Sequence, residues 1–171
     1  MQDHRTILMF LAQENFRDEE YEIPESIFKK SGFEVQTASV SSGEAIGKFG
    51  TRVRIDLPLS QIHVDDYVAI VFVGGSGVSQ LLGNLEVLNL ARDFSKAGKL
   101  SAAICWAPQI LANAGLLQGK KATVTPEEKE TLEAKGAIYT GNPVEIDDSI
   151  ITANGPKAAE EFGEKIIQFL G

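Results

Sequence analysis

Tyr67-Val68-Ala69-Ile70-Val71-Phe72-Val73, followed at once by Gly74-Gly75, is the stretch on which the fold turns. Its residues are apolar or aromatic throughout, with no polar alternation. Such a strand is buried on both faces, as in a parallel sheet covered by helices on each side. The glycines interrupt it, because glycine tolerates backbone angles closed to other residues. Thr6 to Ala12 repeats the continuous apolar pattern, and Leu100 to Ile104 does so in shorter form.

Helical spacing fills the gaps between these strands. Asp18 to Lys30 places Ile23, Ile27 and Phe28 on one face, and Ser31-Gly32 supplies a left-handed cap. Phe33 to Ala38 predicts a second strand, and Lys48 to Leu57 an excursion or hairpin outside the main sheet. Leu85 to Ala97 predicts a helix stopped by Gly98, and Ala107 to Ala114 one stopped by Gly115. Lys121 to Val124 predicts a strand, and Pro126 to Ala134 a helix with proline in its first turn. Val144 to Ile146 and Ser149 to Thr152 form a hairpin around Asp147-Asp148. Ala158 to Leu170 closes the chain as an amphipathic helix. The alternation is that of an α/β protein with a mostly parallel sheet.

At 171 residues a single domain, 1–171, is expected. Lys and Arg number 16 against 24 Asp and Glu, a net charge of −8. That field repels a phosphate backbone, so neither nucleic acid nor an anionic membrane is expected as a partner. The run from Met1 to Arg5 leads into an apolar segment too short to span a bilayer. It carries no small-residue cleavage site, so it is taken as the approach to a first strand. Cys105 is the one cysteine. Disulfide scaffolds and multi-cysteine zinc sites are excluded, and a cytoplasmic, reducing compartment is expected. No metal or organic cofactor is implied.

In open α/β sheets, ligands bind beyond the carboxyl ends of the strands. Gln13 to Glu20, Gly74 to Ser79 and the segment from Cys105 onward all fall at that edge. Cys105 lies between a short strand and a helix, in Ala103-Ile104-Cys105-Trp106-Ala107-Pro108. A sharp strand-to-helix turn exposes its central side chain and needs small residues two positions either side. Ala103 and Ala107 meet that need. A helix N-terminus favours the thiolate and lowers its pKa, whereas a free cysteine is also commonly a buried packing residue. Gly74-Gly75 is either a plain turn or a donor of a backbone N–H which, with that of Trp106, forms an oxyanion hole. Asp18, Glu19 and Glu20 complement a helix dipole. Glu20, with Ile23 and Pro24 on the next turn, is also placed to be held against the sheet edge, where desolvation raises its pKa. His4 and His63 precede strands and belong to the opposite edge.

The string Ala102-Ala103-Ile104-Cys105-Trp106-Ala107-Pro108-Gln109-Ile110-Leu111 resembles the elbow of the ThiJ/PfpI family. That family includes the Parkinson-disease-associated protein and archaeal intracellular proteases. Phe16-Arg17-Asp18-Glu19-Glu20 with Pro24 resembles its glutamate segment, and Gly74-Gly75 its glycine turn. Ala114-Gly115-Leu116-Leu117, Gly119 to Thr123, and Ile151 to Pro156 resemble the segments that follow. The resemblance implies a flavodoxin-like three-layer sandwich, dimeric or a larger assembly of dimers. It makes Cys105 the reactive cysteine, Glu20 the carboxyl that hydrogen-bonds its sulfur, and Gly75 an N–H donor. Trp106 departs from the histidine of the protease-like members. Ser79 stands where a glutamate from a neighbouring subunit is recruited, Thr125 where another branch has histidine, and Val73 where proline is usual.

The expected function is stress-related handling of reactive carbonyls by a glyoxalase- or deglycase-like enzyme. The Cys105 thiolate adds to the aldehyde and Glu20 moves the proton. The alternatives are a cysteine-oxidation sensor without turnover, an intracellular cysteine peptidase or amidase disfavoured by the missing histidine, and a chaperone-like binding dimer.

Overall fold

The computed structural model describes residues 5–171. The first half holds β1 (Thr6–Phe10), β2 (Glu14–Phe16), α1 (Asp18–Lys30), β3 (Glu34–Ser39), β4 (Gly43–Gly47), β5 (Arg52–Ile55), β6 (Leu57–Pro58) and β7 (Ala69–Phe72). The second holds α2 (Leu85–Lys96), β8 (Leu100–Ile104), α3 (Pro108–Asn113), β9 (Lys121–Ala122), α4 (Lys129–Ala134), β10 (Ile138–Tyr139), β11 (Val144–Asp147), β12 (Ile150–Ala153) and α5 (Ala159–Leu170). His4, expected before the first strand, lies outside the described residues.

Seven strands form the central sheet in the order β11-β12-β8-β7-β1-β3-β6. All neighbours are parallel except the β11–β12 hairpin. The stretch read first forms β7, every residue of which is buried. Its ladder extends one bond past each end, from Val68 N–H to Thr6 O and from Val73 N–H to Phe10 O.

Two apolar layers cover the sheet. Phe10, Phe72, Phe94, Ile110 and Leu132 pack under α2, α3 and α4. Phe16, Phe28, Ile104 and Phe162 pack under α1 and α5. Gly163 lets those two helices meet closely, since a Cβ there would lie 2.9 Å from Ile27 Cδ1 and 3.4 Å from Pro24 Cα.

The expected face of α1 needs correction. Phe28 is buried, but Ile23 is 36% exposed. The buried stripe is Glu20, Pro24 and Phe28 at four-residue spacing, with Tyr21 beside it. A carboxyl thus heads a face that otherwise reads as apolar. The helix ends as expected: Gly32 has φ +87°, and Phe33 N–H donates to Phe28 O.

The excursion begins earlier than its sequence suggests. β4 and β5 pair antiparallel, and β2 joins them as a separate three-stranded sheet. β9 pairs with β10 rather than with the main sheet. β2 and β10 are too short to show periodicity.

Asp18 does more than complement the helix dipole. Its carboxylate accepts from Phe49 N–H and Thr51 N–H, each at 3.0 Å. A Cβ at Gly47 would lie 2.6 Å from that carboxylate. Burial opposes its charge, but these donors outweigh burial and hold its pKa below the usual value. Asp18→Ala leaves two donors of the hairpin loop unpaired and is expected to lower stability by about 2 kcal/mol. A urea unfolding curve checks this.

Candidate active site

The carboxyl ends of β1, β7, β8 and β12 bring together the segments the sequence singled out. β8 ends at Ile104, and Cys105 turns the chain with φ +65°. A non-glycine residue there costs about 1 kcal/mol. Three hydrogen bonds hold the turn. Cys105 N–H donates to Ala153 O at 2.8 Å, Thr125 N–H donates to Cys105 O at 2.8 Å, and Ala107 N–H donates to Ile104 O at 3.0 Å. Ala103 and Ala107 are fully buried on either side. Strain retained under such bonding marks a site whose side-chain direction matters.

Glu20 reaches the same point from the first turn of α1, and its residue is fully buried. Neither carboxyl oxygen has a completed hydrogen bond, yet the Cys105 thiol lies close enough for each group to perturb the other's titration. Gly74 makes this approach possible. A Cβ on it would lie 2.4 Å from Glu20 Oε1, 2.4 Å from Ile104 O and 2.8 Å from Cys105 Cβ. Gly74→Ala is expected to cost about 3 kcal/mol, because a backbone carbonyl cannot move aside cheaply. Guanidinium unfolding beside the wild type measures it.

Gly75 has φ +110° and packs against the loop after β2, with a virtual Cβ 2.5 Å from Arg17 N and from Asn15 O. Arg17 N–H donates to Gly74 O at 2.8 Å and locks the two segments together. The N–H groups of Gly75 and Trp106 both act on the Cys105 sulfur. These are the two donors the sequence offers for an oxyanion hole, and both favour the charged form of Cys105.

Burial pushes the Glu20 carboxyl up to about 8, with Cys105 and Arg17 pulling the other way. Burial also pushes the Cys105 thiol up, to about 12, and the Glu20 charge adds to the rise. The backbone N–H groups of Trp106 and Gly75 oppose it. This corrects the expectation of a thiol lowered by a helix N-terminus: α3 starts only at Pro108 and has six residues, and desolvation dominates. The two groups titrate as a pair, and the first proton leaves it near pH 8. When the remaining proton sits on the carboxyl, Glu20 is a donor toward sulfur and no longer repels a thiolate.

Trp106 is half-buried and packs against the layer under α2 and α3. Gln109, buried one turn later, donates from Nε2 to Trp106 O at 3.1 Å. Thr125 reaches the elbow through its backbone, while its hydroxyl donates to Glu127. Ser79 is exposed on the 3-10 turn Ser76–Gln80. His63 is exposed before β7, at the amino edge of the sheet. Among the described residues no group of three or more His, Cys, Asp or Glu side chains is placed to hold a metal. No described helix is long and apolar enough to cross a membrane.

A strained cysteine elbow, a buried glutamate and a glycine turn on a parallel sheet form a distinctive set. The family model described as DJ-1/PfpI matches residues 5–169. The chain belongs to the DJ-1/PfpI family. An uncharacterised protein of Methanocaldococcus jannaschii is 39% identical over 165 residues, covering 95% of this chain and 80% of that protein. A protein of Pyrococcus horikoshii named a deglycase is 32% identical over 95% of this chain and 98% of its own. The crystal structure of a ThiJ/PfpI domain protein from Brachyspira murdochii superposes with a TM-score of 0.95 at 31% identity, covering 97% of this chain and 96% of that one. The flavodoxin-like α/β sandwich of DJ-1/PfpI proteins is thus the fold of this chain.

Two contributors to the site were missed in the sequence. Gly77 packs so closely that a Cβ would lie 2.0 Å from Glu14 O; the spacing Gly74-Gly75-x-Gly77 was its signal. Ala153 O anchors the Cys105 amide, and no sequence signal marks a backbone carbonyl.

Proposed function

We propose that this DJ-1/PfpI protein acts as a deglycase- or glyoxalase-like enzyme on small reactive carbonyls. The single observation that carries the reading is the placement of Cys105 against a buried Glu20 that keeps its proton up to about pH 8. The deglycase name of the Pyrococcus relative, at 32% identity over nearly full length, supports it.

In the reacting form, the minor tautomer of the singly protonated pair, the one remaining proton has moved from sulfur to Glu20. The thiolate sulfur attacks the aldehyde carbon and a C–S bond forms. The carbonyl π pair moves to oxygen, facing the N–H groups of Gly75 and Trp106. Glu20 delivers its proton to that oxygen, which yields a neutral hemithioacetal and a carboxylate. For methylglyoxal, the Glu20 carboxylate then carries the C1 proton of the adduct to C2, which leaves a thioester of the 2-hydroxy acid. Water breaks the C–S bond, the acid departs, and the thiolate and the Glu20 proton are restored. Every step uses one acid–base group. Trp106 has an N–H donor and no basic nitrogen, which supports addition to an aldehyde over hydrolysis of an amide.

Methylglyoxal consumption by wild type and by Cys105→Ser tests this directly. The expected result is turnover that disappears in the serine variant. Equal turnover in both proteins overturns the reading.

The pH profile gives a second check. The reacting form appears as the pair loses its first proton, so the rate rises as pH approaches about 8. Initial rates across the neutral range measure it, and a flat profile contradicts a Glu20-coupled thiol.

A further inference from the structure

The carboxyl edge of the sheet carries a second cleft, of about 290 Å³, whose lining includes neither Cys105 nor Glu20. It lies beyond the ends of β1 and β3, against the segment that follows β7. The chain leaves β1 through α1 toward β3, and leaves β7 through α2 toward β8, on the other side of the sheet centre. The place where strand order diverges is where open α/β sheets bind ligands. In this chain Cys105 follows β8, and neither it nor Glu20 lines the cleft, so the space beyond β1 and β3 is open to another molecule.

The lining states the chemistry of that molecule. Glu14, Ser41, Gln80 and Asn84 line the cleft together with apolar Val40 and Leu81. Among the described residues, the side chains of Glu14, Ser41 and Gln80 make no hydrogen bond within the protein. Asn84 spends its Oδ1 on the N–H groups of Glu86 and Val87, as the cap of α2, and keeps its amide donors free. Gln13, by contrast, has its carbonyl oxygen fully used and one of its two amide donors engaged. It donates to Ser41 O and accepts from Ser39 Oγ and Ser41 N–H, which fixes the wall. Gly77 fixes the opposite wall through its close contact with Glu14 O.

No lysine, arginine or histidine lines the cleft. A phosphate or carboxylate ligand would find no counter-charge there and would meet the Glu14 carboxylate. The free groups are instead amides, a hydroxyl and one acceptor carboxylate, set beside a small apolar surface. That combination suits a molecule with several hydroxyls and one C–H face. The volume is at the lower end of small-molecule sites.

We infer that this cleft is a second binding site, for a neutral polyhydroxylated molecule of about hexose size. It is independent of the Cys105 chemistry, and its test does not read activity.

The experiment is a titration of the ¹⁵N-labelled full chain with D-glucose, D-ribose and myo-inositol, followed by two-dimensional NMR. Side-chain amides of Gln80 and Asn84 are direct reporters. The expected result is saturable shifts of both for at least one probe, with Kd about 1 mM for so small a neutral ligand. Glucose 6-phosphate is expected to bind at least about tenfold more weakly than glucose. The double substitution Ser41→Ala and Gln80→Ala raises the Kd of the responding probe by about tenfold or more, with the rest of the spectrum unchanged. Absence of saturable shifts with all three probes overturns the proposal. So does binding that survives the double substitution, or a preference for the phosphate ester.

Discussion

Glu20→Gln is expected to lower carbonyl turnover by about 100-fold or more, the usual worth of a positioned acid–base group. The same substitution is expected to flatten the dependence of stability on pH. In the folded chain the carboxyl keeps its proton up to about 8, against 4.5 for an unperturbed glutamate. Between those values the native state binds a proton that the unfolded state has released. Stability is therefore full below the unfolded value and falls as pH rises through the folded one. The slope is at most about 1.4 kcal/mol per pH unit. Glutamine fills the same space and cannot ionise, so its unfolding curves lack this slope. Urea unfolding of both proteins at about pH 5, pH 7 and pH 9 separates the cases. Parallel stability profiles would show that the Glu20 proton is not held by burial. A loss of turnover with an unchanged pH profile would show that Glu20 acts only through packing.

Removing the sulfur gives the largest effect on activity and an unusual one on stability. Cys105→Ala and Cys105→Gly both lose the nucleophile, and turnover by hemithioacetal formation falls to background in each. At an ordinary position alanine is the more stable of the two by about 0.5–1 kcal/mol. Here φ is +65°, a conformation that costs a residue with a Cβ about 1 kcal/mol. The order is expected to reverse, with Cys105→Gly at least as stable as Cys105→Ala. Chemical denaturation of the two variants reads this difference. The comparison separates a strained functional residue from a packing cysteine. A packing cysteine would leave turnover intact in both variants, and alanine clearly above glycine would show that the turn at Cys105 does not carry this strain.

The deeper layers of the fold were legible because their residues obey simple patterns. β7 is uniformly apolar, so it was recognised as a strand covered on both faces. β8, from Leu100 to Ile104, matched its expected bounds because an apolar run sits between Gly98 and a small-residue turn. α1 matched too, stopped by Gly32. Its buried face did not, because Glu20 occupies a core position that a hydrophobic pattern cannot assign to a carboxylate. β2 and β10 escaped notice because two or three residues carry no period, and β9 was read as a strand without its partner.

The candidate site divides along the same line. Small residues around Cys105, the glycine pair at the end of β7 and an acidic turn opening α1 are local features, and each is written in a few adjacent residues. Their convergence is not local. Glu20 and Cys105 are far apart in the chain, and only the parallel order of β1, β7 and β8 sets their strand ends side by side.

What the sequence determined by itself was the set of buried strands, the position of the elbow, and the acidic and glycine residues available at one edge of the sheet. The upward direction for Glu20 follows from its expected burial at the sheet edge; tertiary structure alone decided the direction for the thiol. A helix end was expected to lower the thiol, but burial, which depends on everything packed around it, pushes both Glu20 and Cys105 upward. Charge stabilisation is a property of surroundings in three dimensions. Desolvation by distant segments outweighed the local backbone, and no spacing along the chain could have carried that information.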